Sequence, residues 1–215
     1  SVEENATAVN RGTITLTSTQ NSKENYGMIS AGGERAQIDN DGIINLNGYD
    51  YAASKEVGYG MSIGDGRANN NNTININRMY GYGMASTEGT LTNNGTINLT
   101  NGGYGIMGES GESFNNKDAT ITITGTPNMQ NSYGMSMQDG TAKNFGQIDV
   151  TGGSVNSETY GISVNGGNGL NHGLINMHSD NAFGLFDEGD GEITNVAGGT
   201  INLYGNNSVG MQTTS

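Results

Sequence analysis

Apolar and polar residues alternate along this chain with the period of two that marks β-strands, and the alternating unit itself recurs. In residues 10–16, N-R-G-T-I-T-L, Ile14 and Leu16 share one face while Thr13 and Thr15 share the other. The unit returns at 40–46, 70–76, 93–99, 120–123, 144–150, 171–177 and 200–203. Its first apolar residue falls at 14, 44, 74, 97, 121, 148, 175 and 201, so the repeat is 23 to 30 residues long. A second strand follows each copy, seen as Y-G-M at 26–28, 59–61, 82–84 and 133–135, and as related triplets at 104–106, 160–162, 183–185 and 209–211. There Tyr59, Met61 and Ile63 are expected on one face, with Gly60 pointing away. A third, shorter apolar signal stands two residues before the repeated Asn, at Ile38, Ala68, Leu91, Phe114, Ala142 and Ile193. In the seventh copy Leu170 lies one place out of that register. No stripe of helical period accompanies these strands.

Three short strands per repeat, punctuated by Gly, Asn and Asp, predict an all-β chain wound as a parallel β-helix of about eight coils. A lone coil buries too little apolar surface to offset the entropy of ordering its backbone, so the coils must stack. Stacking turns each repeated position into a column. Ile14 and its equivalents become an aliphatic ladder. Tyr26, Tyr59, Tyr82, Tyr104, Tyr133 and Tyr160 become an aromatic one. Asn at 10, 40, 70, 93, 116, 144, 171 and 195 is expected to stack as an amide ladder in a tight turn, which its backbone tolerance and short side chain suit.

Composition removes several classes of function. The 215 residues hold 37 glycines and 32 asparagines, one proline and no cysteine or tryptophan. Without cysteine there is no disulfide staple, no thiolate zinc site and no thiol nucleophile. A formal net charge of −13 argues against nucleic acid as a partner, because phosphates demand Lys and Arg. No apolar run approaches the ~18 residues of a membrane-spanning helix. Both ends stop within the pattern, and Ser1 opens no signal peptide. The chain 1–215 is therefore expected to be one β-helix segment of a longer rod.

The units N-x-G-T-I-N-L followed by Y-G-M or V-G-M, as at 96–99, 200–203 and 209–211, resemble passenger-domain repeats of large type V autotransporters. The likeness is to the fusobacterial adhesins of the RadD-like group and covers essentially the whole chain. It implies a right-handed β-helix, secreted and displayed on the bacterial cell surface. Such a rod is anchored in the outer membrane only through a C-terminal barrel that lies outside this sequence. It also implies a monomeric adhesin rod whose partners are other bacteria or host-cell receptors, protein or glycan.

The interruptions of the repeat mark where binding is expected. Insertions at 17–25, 47–58, 124–132 and 151–159 all leave the coil at one corner and should project side by side. The second is the richest, with Tyr49, Asp50, Tyr51, Lys55 and Glu56; Arg78 and Tyr80 occupy the same corner one coil on. Aromatic rings clustered with charges there suit a sugar face or a protein anchor. These tyrosines could equally pack on their own loop. An acidic stripe of Glu34, Asp65, Glu88, Glu109, Glu112, Asp139, Asp187, Glu188 and Asp190 is expected in one turn column. It reads as a solvated edge, with Ca²⁺ binding as the weaker alternative.

Other readings find less support. G-E-S-G at 108–111 resembles the Gly-Asp-Ser-Gly of serine proteases, but the histidines that could serve Ser110, His172 and His178, lie more than two coils away. Asp149 has no partner acid in its own coil, as a polysaccharide-cleaving site would need. Outward Thr/Asn pairs such as Thr73/Asn75 and Thr96/Asn98 resemble ice-binding arrays, but Ile43, Gln147/Asp149 and Leu174 interrupt them. The chain is therefore read as a non-enzymatic adhesin segment, with a purely structural spacer as the alternative.

Overall fold

The computed structural model describes residues 6–18, 23–31, 33, 35–48, 56–125, 131–152 and 157–214. Among them all regular structure is strand. Twenty-four strands, β1 (Thr7–Asn10) to β24 (Val209–Thr213), are dealt in rotation to three parallel sheets of eight. One coil, for example, runs through Gln37–Asn40 in the first sheet, Ile43–Asn47 in the second and Val57–Ile63 in the third. Each strand pairs only with the equivalent strands one coil before and one coil after. The result is a right-handed parallel β-solenoid of eight rungs, the hand that parallel crossovers take.

The core is built of columns, because equal residues at equal register positions stack on one another. Ile14, Ile44, Ile74, Ile97, Ile121, Ile148, Ile175 and Ile201 pair in unbroken register. Leu46, Ile76, Leu99, Ile123, Val150 and Met177 form a second column, and all six are essentially inaccessible. Met61, Met84, Ile106, Met135, Ile162 and Leu185 close the third side of the triangle and are fully buried.

In the third sheet the strict alternation fails. Tyr59 and Met61 do not share a face. Gly60 and Met61 both point inward in succession, while Tyr59 and Ser62 are only half-buried on the outer side. The strand bends at the glycine because a β-carbon on Gly60 would lie 2.4 Å from Ile74 Cγ2 and 2.6 Å from the carbonyl oxygen of Gly83. Only a residue without a side chain lets the sheet come this close to the isoleucine ladder. The tyrosine column consequently runs along the outside of the rod.

The amide ladder is present, with one member changed. Asn10, Asn40, Asn70, Asn93, Asn115, Asn144, Asn171 and Asn195 pass one Nδ2–H···Oδ1 bond of 2.8–2.9 Å from each coil to the next. Asn115 takes the place expected for Asn116, and the register Asn93↔Asn115↔Asn144 fixes it. Asn116 belongs one position further on, in an outer amide column with Asp41, Asn71 and Asn94. The same shift puts Ser113, not Phe114, on the inner face, where its hydroxyl donates to Met137 Sδ at 3.1 Å. Phe114 faces outward beneath the Lys143 ammonium, 5.1 Å from its ring centre. In the seventh coil Gly169 is the inward residue and Leu170 faces out.

Candidate functional site

The four insertions leave the second sheet after Thr17, Asn47, Thr124 and Thr151 and join the third at Glu24, Val57, Ser132 and Thr159. Their bases continue the stack: Ser18 donates its amide to Asn47 O, Gly48 to Asn77 O and Gly125 to Thr151 O, all at 2.7–2.9 Å. Tyr49, Asp50, Tyr51 and Lys55 lie outside the described residues. The other three candidates have defined places. Glu56 is fully buried and accepts a 2.6 Å bond from the Ser18 hydroxyl, which joins the bases of the first two insertions. It is an internal tie, with no surface to offer a partner. Arg78 is exposed, in a left-handed turn at φ 64, with its amide donating to Thr100 Oγ1 at 3.2 Å.

Tyr80 lies across the stack. Its ring meets Tyr82 and Tyr104 edge-on, at 6.0 and 6.1 Å, and its hydroxyl donates to the Asn131 carbonyl at 3.1 Å. It thus reaches from the third coil to the fifth, over the short connector from Leu99 to Gly103. Burial, with the neighbouring tyrosines, raises its hydroxyl far above the ordinary range, so it is a neutral donor.

On the outer face of the third sheet Tyr26, Tyr59, Tyr82, Tyr104, Tyr133 and Tyr160 stack with ring centres 4.5–4.9 Å apart and planes within 9°. Phe183 continues the stack at 5.2 Å. The rings spend their faces on one another, so the column presents edges and hydroxyls. Tyr26 and Tyr160 donate these to Glu24, on the same strand, and to Glu158, just before the strand.

Asp65, Glu88, Glu109, Asp139, Glu188 and Asp190 lie in turns of the third-to-first corner, but Asp187 and Glu112 belong to strands. Asp187 takes the inward register position of Ile63 and is buried, accepting the Gly189 amide at 3.1 Å. Glu112 sits on a strand and pairs with Lys143 at 3.0 Å. Asp65 caps the Gly66 amide at 2.7 Å, and Glu34 lies outside the described residues. Among the described residues no group of three or more His, Asp or Glu side chains could hold a metal ion.

Ser110 donates to the Thr87 carbonyl in the turn between the third and first sheets. His172 stacks on Phe145 at the first-to-second corner, and His178 on Tyr204. On the second sheet's outer face Asn45, Asn75 and Asn98 bond one another along the rod, as do Asp149, Asn176 and Asn202.

These features define a class, the parallel β-solenoid whose repeated positions are ladders and whose connectors carry the variation. Comparison with protein-family models, with curated proteins and with solved structures finds no significant match.

Proposed function

We propose that this chain is a segment of a surface-displayed adhesin rod of the autotransporter passenger type, binding host-cell or bacterial receptors, protein or glycan, through the insertion-bearing corner. One observation carries the reading. The second-to-third-sheet connector varies from the short link between Asn77 and Tyr80 to the long one between Asn47 and Val57, while three long insertions join it at that corner. Solenoids place binding loops where the ladder permits length to vary. The alternative is a spacer rod. It gains from Glu56 and Tyr80, two expected contact residues whose polar groups are spent inside the protein.

The test is binding of this chain to a glycan array and to intact partner cells, beside a variant lacking 49–55 rejoined through a short Gly linker, which keeps the strand residues Asn47 and Val57 and the buried Glu56. Lost binding with an unchanged circular dichroism spectrum supports recognition at the loop corner. Binding by neither form refutes it in favour of the spacer.

A further inference from the structure

We propose that a recess at the corner between the first and second sheets binds a neutral saccharide of one or two pyranose rings. In six coils the turn at this corner is short, as from Asn93 to Thr96; in the fifth and eighth it runs from Asn115 to Thr120 and from Asn195 to Thr200. The amide ladder holds Asn115 and Asn195 in place and the isoleucine strands hold Thr120 and Thr200. The extra residues can only bulge outward. Both bulges close with the same turn bond, Ala119 N–H to Asn116 O at 3.0 Å and Gly199 N–H to Val196 O at 2.8 Å. Both use the left-handed backbone, at Asp118 (φ 68) and Gly198 (φ 96).

Between these walls the sixth and seventh coils keep short turns. The walls stand three coil steps apart, about 14 Å at ~4.8 Å per strand. They flank an open recess of about 450 Å³ bordered by Lys117, Asp118, Phe145, Gln147, Leu174 and Thr200. That volume lies within the range of small-ligand sites. Gly146 and Gly173 lie on the floor of the recess without side chains, each so close to the preceding coil that a β-carbon would come within 2.3 Å of the Ala119 and 2.2 Å of the Gly146 carbonyl oxygens.

The chemistry of the lining selects the ligand. Along the outer column Asp41, Asn71, Asn94 and Asn116 are polar, and an aromatic ring replaces them only where the recess opens. That ring, Phe145, is 39% exposed and is backed by His172 stacked at 4.6 Å. The part of the Phe145 ring that His172 leaves uncovered, together with Leu174, offers an apolar surface to the C–H groups of a sugar. Thr200 offers its hydroxyl, while Thr120, which donates to Thr96 Oγ1 at 3.3 Å, and Gln147, whose amide donates to Asp149, keep their oxygens as acceptors for the sugar hydroxyls. Lys117 and Asp118 are adjacent and opposite in charge, so the site has no net charge, and the chain's −13 repels anionic sugars. A peptide strand is disfavoured because the amides of Thr120, Gln147, Leu174 and Thr200 already donate to the preceding coil.

The site lies at a different corner from the four insertions and goes beyond the loop-corner reading. It is tested by ¹H–¹⁵N NMR titration of the chain with glucose, galactose, N-acetylglucosamine and their β-linked disaccharides. Saturable shifts are expected at the amides of Thr120, Phe145, Gly146, Gly173 and Leu174, with a Kd of about 1 mM for at least one sugar. Phe145→Asn extends the outer amide column and should weaken binding at least about tenfold. A second variant removes 117 and 118 and carries Ala119→Gly, copying the N-N-G-T turn at 93–96 and lowering one wall. It should do the same, and if it fails to fold, Phe145→Asn decides. Shifts with no sugar, shifts elsewhere on the rod, or unchanged affinity in Phe145→Asn overturn the proposal. Sugar shifts that persist in the 49–55 deletion separate this site from the loop corner, whichever way cell binding turns out.

Discussion

A single added methyl group tests the packing of the solenoid where the third sheet closes on the isoleucine ladder. In Gly105→Ala the new β-carbon would stand 2.3 Å from Ile121 Cγ2 and 2.5 Å from the Gly134 carbonyl oxygen. Both atoms belong to the next coil. The carbonyl is backbone, and the residues beside it hold the pairing of Gly103–Gly108 with Ser132–Met137. Relief therefore means prising two coils apart. Overpacking of this kind costs about 1–3 kcal/mol, and each ladder bond that opens adds about 1 kcal/mol. A total of about 3–5 kcal/mol is expected, a large share of the ~5–15 kcal/mol that holds a typical domain folded. The matched control is Gly12→Ala. Its β-carbon meets no heavy atom within 4 Å and its φ is not positive, so the change should stay under about 1 kcal/mol.

The assay is guanidinium denaturation of both variants beside the parent, with hydrogen exchange to locate the loss. Solenoid coils are coupled to their neighbours, so protection should fall first around the fourth and fifth coils. In Gly105→Ala/Ile121→Ala one of the two close contacts is gone, so the combined cost should be less than the sum of the single costs. Equal midpoints for Gly105→Ala and Gly12→Ala would falsify the close-approach account.

Asn115→Ala should cost about 2–5 kcal/mol, because it strands the buried Asn93 amide and the Asn144 carbonyl oxygen, whereas Asn116→Ala on the outer column should cost under about 1 kcal/mol. The same denaturation series checks this, and the reverse order would restore Asn116 to the inner ladder. Burial raises the hydroxyls of Tyr59, Tyr80, Tyr104, Tyr133 and Tyr160 above the ordinary value near 10, and the Glu24 carboxylate does the same for Tyr26. Their contribution to stability is complete below pH 10 and is lost as pH rises beyond it, since the unfolded chain ionises first. Tyrosinate absorbance near 295 nm should therefore rise together with the loss of the circular dichroism spectrum; free titration near pH 10 in a folded rod would refute the burial argument.

The columns were legible in the sequence because stacking makes a solenoid compare its residues with themselves. An isoleucine at 14, 44, 74 and 97 has one physical reason to recur. The two departures share a cause. In Tyr-Gly-Met the glycine has no side chain to report its direction, and the amphipathic tyrosine reads as core by composition, so alternation assigns the wrong face. At Asn115-Asn116 two identical residues stand together, and Phe114 outweighs Ser113 in hydrophobicity, so the register slips by one. Only the hydrogen-bonded partner coil settles which asparagine enters the ladder. The recess was hidden for a different reason. Both long turns are visible as expansions, but 115–120 and 195–200 are far apart in sequence and become facing walls only once the intervening coils are counted.

The three corners differ in freedom because they differ in what the buried backbone and side chains require. At the first-to-second corner the ladder asparagine bonds its successor and also reaches a strand carbonyl, as Asn93 does with Thr120 O at 3.3 Å. A turn there can lengthen only by bulging outside that fixed pair, which is why the two expansions keep their ends in register and make walls. At the third-to-first corner, glycine carbonyls and amides of successive turns approach closely. A β-carbon on Gly66 would lie 2.2 Å from Ala36 O, and the turns from the second coil onward stay short, although the first, from Ser30 to Gln37, is longer. Among the described residues the second-to-third corner shows no buried side-chain ladder running along the rod, but ties between coils such as Ser18 to Glu56. Length can accumulate there without disturbing the core. Hydrogen bonding thus steers most of the variation to two places, one that makes long loops and one that makes a shallow recess, and on those two surfaces recognition is best sought.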